Sequence, residues 1–190
     1  MMLRGLFLAT IVSSFVVFAL GGVQDVRYRT TCTFLGPEEE TFHHDCHVAL
    51  FSYKEINFSG RILAIENDLC TAAQPGSDTL DLISWRKLAV MVKRGNCAFS
   101  TKALHAQQAG FQLVIIANSE EEGFPVGPPE LNFVFDVPVA MVGQKVWDQV
   151  YDSNVERVWS IFRGASSATD TSELASSLDD CHTVSLNFGM

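Results

Sequence analysis

The stretch that decides the fold runs from Leu88 to Asn118 and reads LAVMVKRGNCAFSTKALHAQQAGFQLVIIAN. It opens with a short apolar run, which predicts a buried strand. It closes with a second apolar run, Leu113–Ala117, typical of a strand that is covered on both faces. Between the two runs, apolar and small residues recur at helical spacing, at Phe99, Ala103, Ala106 and Gly110. Strand, helix and strand in so few residues predict a right-handed, parallel βαβ crossover.

Turn chemistry sets the ends of these elements. Lys93–Asn96 interrupts the first apolar run, and Gly95 within it can adopt a positive φ at little cost. Ser100 or Thr101 is expected to cap the helix, because a hydroxyl can accept a hydrogen bond from an unpaired N–H of the first turn. Gly110 is expected to end it, since glycine suits the left-handed position after a helix.

These residues carry a family resemblance. The segment Val92–Phe99, followed by Lys102, Ala106, Ala109-Gly110 and the apolar strand, resembles the central motif of the protease-associated (PA) domain. Asp136–Val142, which reads DVPVAMV, resembles that family's second signature, a short strand entered through proline ahead of a final helix. The resemblance covers roughly Cys46 to Gly164, and two signatures in order are more specific than either alone.

The resemblance implies an α+β fold and no catalytic activity. PA domains occur as non-catalytic modules in proteases, sorting receptors, membrane-anchored ubiquitin ligases and intramembrane proteases, where they are associated with binding protein segments or restricting access. By this resemblance the family-motif turn, with Arg94, Gly95, Asn96 and Phe99, is a candidate interaction surface. The long polar loop Glu120–Asn132 is a second candidate, because recognition often lies on such loops.

The N-terminus predicts export. Arg4 precedes an apolar run from Gly5 to Leu20, and small residues follow, so residues 1–21 are expected to be a cleaved signal peptide; the alternative is an uncleaved anchor. No stable membrane insertion is expected after cleavage. The formal net charge is −9, and an acidic chain without a basic stripe argues against nucleic acid and anionic membranes as partners.

All five cysteines follow the predicted signal peptide, which favours disulfides. Cys70–Cys97 is the pairing that the PA resemblance implies, since many PA domains carry such a staple. Cys32–Cys46 is inferred from proximity in the sequence. Cys181 would then remain as a thiol or pair with another chain.

The rest of the chain predicts a single domain of α+β class, a curved sheet or open barrel with two flanking helices. Outside the central stretch, strands are expected at 48–51, 61–65, 137–142 and 155–162, and the second helix carries Val146, Trp147, Val150 and Tyr151 on one face. The expected division is a signal peptide (1–21), an N-terminal extension (22–45), the PA-like domain (46–164) and a disordered acidic tail (165–190).

Two further motifs have the chemistry of binding or modification sites. His43-His44-Asp45-Cys46-His47 has ligand-like chemistry, but adjacent histidines point apart on a strand, so no metal and no cofactor are expected. Asn57-Phe58-Ser59 is an N-glycosylation sequon, placed by the sequence in a turn ahead of Gly60.

Catalysis has one candidate, a thiol nucleophile at Cys97 with His105 as base. A disulfide with Cys70 would exclude this, and His105 lies about two helical turns away. The sequence therefore predicts a secreted or luminal, non-catalytic module that binds an unidentified protein partner. The alternative is a shortened luminal part of a PA-containing membrane ubiquitin ligase or intramembrane protease; a thiol enzyme is the least favoured reading.

Overall fold

The structure is a computed structural model, and it describes residues 29–36, 38–49, 51, 55–72, 87–121, 123, 135–151, 159 and 168–189. Within these ranges the chain forms seven strands: β1 (Arg29–Leu35), β2 (Thr41–Val48), β3 (Glu55–Ile65), β4 (Leu88–Lys93), β5 (Leu113–Ala117), β6 (Val139–Val142) and β7 (Thr183–Gly189). The same ranges hold three helices: α1 (Phe99–Gln108), α2 (Gln144–Val150) and α3 (Ala168–Asp179).

The strands close into a barrel in the order β1-β2-β6-β5-β4-β3-β7. The neighbours β3, β4, β5 and β6 run parallel, while every pairing that involves β1, β2 or β7 is antiparallel. The predicted βαβ crossover is confirmed, because β4 and β5 pair in parallel with α1 between them. The α+β class is also confirmed, and the sheet that was expected to be curved or open is closed.

The barrel interior is one of two apolar clusters. It takes residues from all seven strands, among them Phe34, Cys46, Ile62, Met91 and Leu186, and α2 adds Val146 and Trp147. Burial of this layer, at roughly 25 cal/mol per Å² of apolar surface, is the main force that closes the sheet.

The second cluster covers the outer face of the parallel strands. Val90, Val114 and Ile116 point outward and are completely buried, because α1 and α3 pack on them with small and apolar side chains: Ala103, Ala106, Leu174 and Leu178. The parallel strands are therefore buried on both faces, as their unbroken apolar sequences predicted.

The segments on either side of the predicted domain belong to the barrel, which corrects two predicted boundaries. The stretch assigned to an N-terminal extension (22–45) contains β1 and most of β2. The tail assigned to disorder (165–190) contains α3 and β7, and β7 pairs with β1 on one side and β3 on the other. The prediction failed because polar and acidic residues dominate the composition of this segment, whereas the few large apolar residues whose burial is described, including Val184 and Leu186, face the core.

Several element ends also differ from the prediction. The strand expected at 48–51 ends at Val48 and begins seven residues earlier, and β3 begins at Glu55, so the glycosylation sequon lies within a strand rather than in a turn. Of the strand expected at 155–162, only Trp159 lies within the described residues; it is buried and helical. The predicted signal peptide lies outside the described residues.

Of the two predicted ends of α1, the N-terminal cap is wrong and the C-terminal glycine is confirmed. The N-cap residue is Ala98, with no side-chain bond, so neither Ser100 nor Thr101 caps the helix. At the other end Gly110 has φ +86°. The Gly110 N–H donates to Gln107 O and the Phe111 N–H to Ala106 O, which is the bond pattern of a Schellman motif.

Gly60 marks the point where β3 changes partner. From Glu55 to Arg61 the strand pairs with β7, and from Arg61 to Ile65 it pairs with β4. A Cβ at Gly60 would lie 1.9 Å from the carbonyl oxygen of Lys87. The chain ahead of β4 can approach this closely only because position 60 has no side chain.

Candidate functional site

The candidate site lies where the four parallel strands end. Parallel strands bring their carboxyl ends to one edge of a sheet, so the loops after β3, β4 and β5 meet there. The family-motif turn, residues 94–99, follows β4 and lies next to the start of the loop after β5, because the Arg94 N–H donates to Ala117 O at 2.8 Å. The two segments named as candidate surfaces are thus neighbours at their bases.

The family-motif turn exposes three of its residues. Arg94, Gly95 and Asn96 are exposed, and Phe99 is half-buried at the start of α1. Gly95 has φ +126° and Asn96 has φ +63°, so two successive residues occupy a region that few side chains tolerate. The Cys97 N–H closes the turn by donating to Gly95 O at 2.8 Å.

Arg94 is held from the side of β5. Its guanidinium donates to Asn118 Oδ1 at 3.0 Å and lies 5.9 Å from the centre of the Phe99 ring. Asn118 is completely buried, and its N–H donates to Val142 O. The Arg94 side chain thereby links the end of β4 to the end of β5.

Asp68 joins the loop after β3 to the turn. Its Oδ1 accepts from the Cys70 N–H at 2.9 Å, and its Oδ2 accepts from Asn96 Nδ2 at 2.7 Å. The Cys70 N–H, then the Asn96 amide, hold the pKa of this carboxyl below its ordinary value, because hydrogen bonds to the ionised form favour it.

Lys102 supports this loop from below. It lies on α1, is completely buried, and its Nζ donates to the carbonyl oxygen of Asp68. The same Nζ lies 3.7 Å from Cys70 Sγ. Burial lowers the pKa of the Lys102 ammonium, and the charge on Asp68 opposes that shift.

His105 and Leu69 complete the support. His105 Nδ1 lies 2.7 Å from the carbonyl oxygen of Leu69. Leu69 is completely buried and has φ +53°, which is unusual for a bulky residue. The loop is therefore fixed by α1 as well as by its own side chains, and His105 has a positioning role.

Sequence reasoning did not identify Asp68 or Asn118, and it gave Lys102 no role. The position of Lys102 in the sequence does, however, indicate a role. It falls between Phe99 and Ala106 on the apolar face of α1, where a charged side chain is rarely buried unless it has hydrogen-bonding or charged partners.

The second candidate segment is described only at its start. Glu120 and Glu121 are exposed, and Glu120 O accepts from the Gln144 N–H at the start of α2 at 2.7 Å. Gly123 packs closely, since a Cβ there would lie 3.0 Å from Met141 O. The rest of the loop, residues 122 and 124–132, lies outside the described residues.

The disulfide Cys70–Cys97 forms as predicted, with an S–S distance of 2.05 Å. Cys97 therefore has no thiol to act as a nucleophile, and His105 is committed to the Leu69 carbonyl. Both observations argue against the thiol-enzyme alternative. The second predicted pair, Cys32–Cys46, is also bonded, across the paired strands β1 and β2.

The remaining sequence candidates lie away from this edge. Cys181 is buried beside α3, with Sγ 3.6 Å from Ser177 O, and takes no part in either disulfide. His43 and His44 diverge on β2, since one meets Thr33 and the other Gln149. Among the residues that the structure describes, no group of three or more His, Cys, Asp or Glu side chains could hold a metal ion.

Asn57 lies in the first half of β3 and is exposed. It lies opposite Asn187 of β7 in the antiparallel register. The sequon asparagine is thus accessible in the folded chain, although it stands in a strand. In the described part of the chain, no helix is both long enough and apolar enough to cross a membrane.

Comparison with known families identifies the domain. The model of the PA domain matches residues 43–150, more than half of the chain. The chain therefore belongs to the PA domain family. The match begins within β2 and ends with α2, so β1, α3 and β7 complete the barrel from outside the matched region.

Solved structures with a similar fold include larger enzymes. An aminopeptidase from Aneurinibacillus sp. strain AM-1 is 13% identical with a TM-score of 0.45, and the match covers 84% of this chain and 30% of that chain. A zinc aminopeptidase from Bacillus subtilis is 14% identical with a TM-score of 0.44, covering 74% and 35%. A peptidase M28 precursor from Shewanella amazonensis is 12% identical with a TM-score of 0.46, covering 93% and 40%.

The chain spans only about a third of the length of these enzymes. At such low identities and TM-scores, these matches support no inference about the activity of this chain. No curated protein sequence matches the chain.

Proposed function

We propose that this chain is a secreted or luminal module without catalytic activity that binds another protein through the carboxyl edge of its parallel strands. The observation that carries the proposal is the convergence of the two candidate segments at that edge. Arg94, Asn96 and Glu120 are exposed there, on loops held by a disulfide and by the buried side chains of Lys102 and Asn118. A prearranged surface loses little conformational entropy when it binds.

The chemistry of the edge favours a polar, charged partner segment. Arg94 offers a cation above the half-buried Phe99 ring, whereas Glu66, Glu120 and Glu121 offer exposed carboxylates nearby in the fold. Mixed charges of this kind give specificity and steer association more than they add affinity. Membership of a family whose members are non-catalytic modules supports the same function.

Site-specific photocrosslinking in secreting cells tests the proposal. A photoreactive amino acid is placed at Asn96 in one variant and at Thr31 of β1, also exposed, in a matched control. We expect discrete protein adducts from position 96 that are absent from position 31. Arg94→Glu in the position-96 variant should reduce those adducts about tenfold or more, because it reverses the charge at the centre of the surface.

Two outcomes would contradict the proposal that the partner binds at this surface. One is the same set of adducts from positions 96 and 31, which indicates nonspecific capture. The other is an adduct pattern at position 96 that Arg94→Glu leaves unchanged while the variant remains folded.

The proposed location and glycan rest on separate observations. Two disulfides among the described cysteines fit an oxidising compartment. The exposed Asn57, with Ser59 two residues later, provides an acceptor in that compartment. We expect the secreted protein to carry an N-linked glycan, seen as a mass loss on treatment with peptide N-glycosidase. Ser59→Ala should abolish that loss, and an unmodified Asn57 in the wild-type secreted chain would contradict the assignment.

A further inference from the structure

The two disulfides occupy different environments. Cys32 and Cys46 are both completely buried in the barrel interior. Cys70 and Cys97 lie in two surface loops and are both partly exposed. A dissolved thiol can therefore reach the Cys70–Cys97 bond in the folded protein, whereas reaching Cys32–Cys46 requires the barrel to open.

A buried cation lies beside one sulfur of the exposed disulfide. Lys102 Nζ is 3.7 Å from Cys70 Sγ, and the side chain is completely buried beneath the loop. Its bond to the Asp68 carbonyl oxygen keeps the ammonium in place. Such an ammonium stabilises a thiolate at Cys70, because the charges interact through a medium of lower dielectric constant than water.

Positive charges near Cys97 favour attack of an anionic thiol at this sulfur. Cys97 lies two residues ahead of α1, whose N-terminus carries a partial positive charge. Arg94, which is exposed, adds a full positive charge to the same turn. Both attract an anionic thiolate from solvent, but each also stabilises a Cys97 thiolate. Solvent screens their effect on Cys97, whereas the buried Lys102 is screened much less.

We propose that Cys97 is a site of reversible S-thiolation by a small anionic thiol of the glutathione class, with Cys70 as the leaving group. The thiolate attacks Cys97 Sγ and forms a new S–S bond, while the Cys97–Cys70 bond breaks and its electron pair passes to Cys70 Sγ. Lys102 stabilises the resulting thiolate. A second small thiolate can attack the sulfur of the bound thiol in the mixed disulfide, which releases the disulfide of the two small thiols and a Cys97 thiolate that takes a proton from water.

Asp68 is the charge that opposes this reaction. Its carboxylate accepts from the Cys70 N–H, so it lies close to the sulfur that becomes negative. Removing that charge with Asp68→Asn should speed the opening of the disulfide, whereas removing the Lys102 charge should slow it. Any effect of opening on partner binding rests on the proposed function; the thiolation site itself does not.

Mapping of the adducts tests the proposal without any partner protein. The native, disulfide-bonded chain is treated with glutathione at neutral pH, quenched with acid, alkylated and digested for mass spectrometry. We expect glutathione on Cys97 and the alkyl group on Cys70, with a preference of about tenfold over the reverse arrangement. Cys32–Cys46 should remain intact over the same period, as an internal control.

Substitutions at Lys102 separate its charge from its packing. Lys102→Met keeps most of the side-chain length without the charge and should reduce the preference to about parity, whereas Lys102→Arg should retain it. If Lys102→Met does not fold, the proposal is tested by the ratio of adducts in the wild-type protein and by the rate at which the Cys70–Cys97 disulfide opens in Asp68→Asn. Equal adducts on the two sulfurs, a preference for Cys70, or opening of Cys32–Cys46 at the same rate would each overturn the proposal.

Discussion

The two halves of the barrel are built differently. In the half formed by β3, β4, β5 and β6, hereafter the covered half, α1 and α3 bury the outer face, so the strands are apolar on both faces. In the half formed by β1, β2 and β7, hereafter the open half, inward residues are mostly apolar and outward residues are mostly polar, with Leu35 as an exposed apolar exception. Exposed positions of the open half are Thr31, His43, Asp45, Ser185 and Asn187.

This difference explains where the candidate site lies. Loops at the end of the covered half start from strands that are fixed on both faces, and α1 supplies Lys102 and His105 to hold them. The exposed surface at that edge is consequently well defined. The open half offers a polar strand face, and its described residues include no comparable arrangement of buried supports. Asn57 lies on β3 next to this half, opposite Asn187 of β7.

The largest predicted effect comes from removing the last strand of the open half. Truncation after Gly164 deletes β7, which lies between β1 and β3, together with the core residues of α3. We expect the loss to exceed the roughly 5–15 kcal/mol by which a domain is stable, so the cooperative urea transition of the full-length chain should disappear. A truncated chain with an unchanged transition midpoint would show that the tail is dispensable, as its composition had suggested.

Matched substitutions on the outer faces of the two halves should differ next most strongly. Val90 of β4 points into the outer cluster and is completely buried, whereas Ser185 of β7 is exposed. Val90→Asp should lower the free energy of unfolding by more than about 4 kcal/mol, since it buries a carboxyl without a partner. Ser185→Asp should change it by less than about 0.5 kcal/mol. Equal effects in urea denaturation would contradict the covered and open distinction.

The same distinction explains which parts of the fold could be predicted from the sequence. Unbroken apolar runs such as Leu113–Ala117 are typical of strands buried on both faces, so the parallel strands of the covered half were predicted, although β3 begins at Glu55 rather than Arg61. In the part of β7 whose burial is described, residues 183–187, Val184 and Leu186 are buried and alternate with polar residues. Such a short alternation is common in loops, and only the pairing with β1 and β3 makes it a strand.

The candidate site was predicted in part for a similar reason. Gly95, Asn96 and Cys97 belong to a contiguous motif and could be found along the chain. Asp68 and Asn118 reach the turn only through the parallel arrangement of β3, β4 and β5. Their side chains have no local pattern, because the contacts that give them a role connect loops far apart in sequence.

Gly60 lies where β3 changes partner from β7 of the open half to β4 of the covered half. A substitution there should have an intermediate effect on the free energy of unfolding. An added Cβ would lie 1.9 Å from the Lys87 carbonyl oxygen, a backbone atom that cannot rotate away. Gly60→Ala should therefore cost roughly 1–3 kcal/mol in the free energy of unfolding, the usual range for overpacking. Ser185→Ala on neighbouring β7 serves as the control and should be nearly neutral. An unchanged melting temperature for Gly60→Ala would mean that the chain ahead of β4 can move away from β3 without loss of stability.

The smallest predicted effects compare one carboxylate from each half. Asp45 of the open half has its pKa lowered chiefly by its bond to Arg29, in a pair whose side chains are both more than half exposed. Asp68, beside the covered half, has its pKa lowered chiefly by the Cys70 N–H and the Asn96 amide. The stabilisation of a carboxylate by neutral hydrogen-bond donors changes little with ionic strength, whereas the stabilisation by an exposed ion pair is screened by salt.

A lowered folded-state pKa stabilises the protein above the ordinary value of 3.8, and the stabilisation is lost as the pH falls through the lower folded-state value. At neutral pH, Asp68→Asn should therefore cost roughly 1 kcal/mol, and Asp45→Asn only a few tenths of a kcal/mol. Both differences from wild type should vanish in acid. Urea denaturation at low and at 1 M salt separates the two: the Asp45 effect should disappear at high salt, and the Asp68 effect should persist. If salt abolished the Asp68 effect instead, the carboxylate would be stabilised by a screened charge, and its hydrogen bonds to the Cys70 loop and the family-motif turn would contribute little.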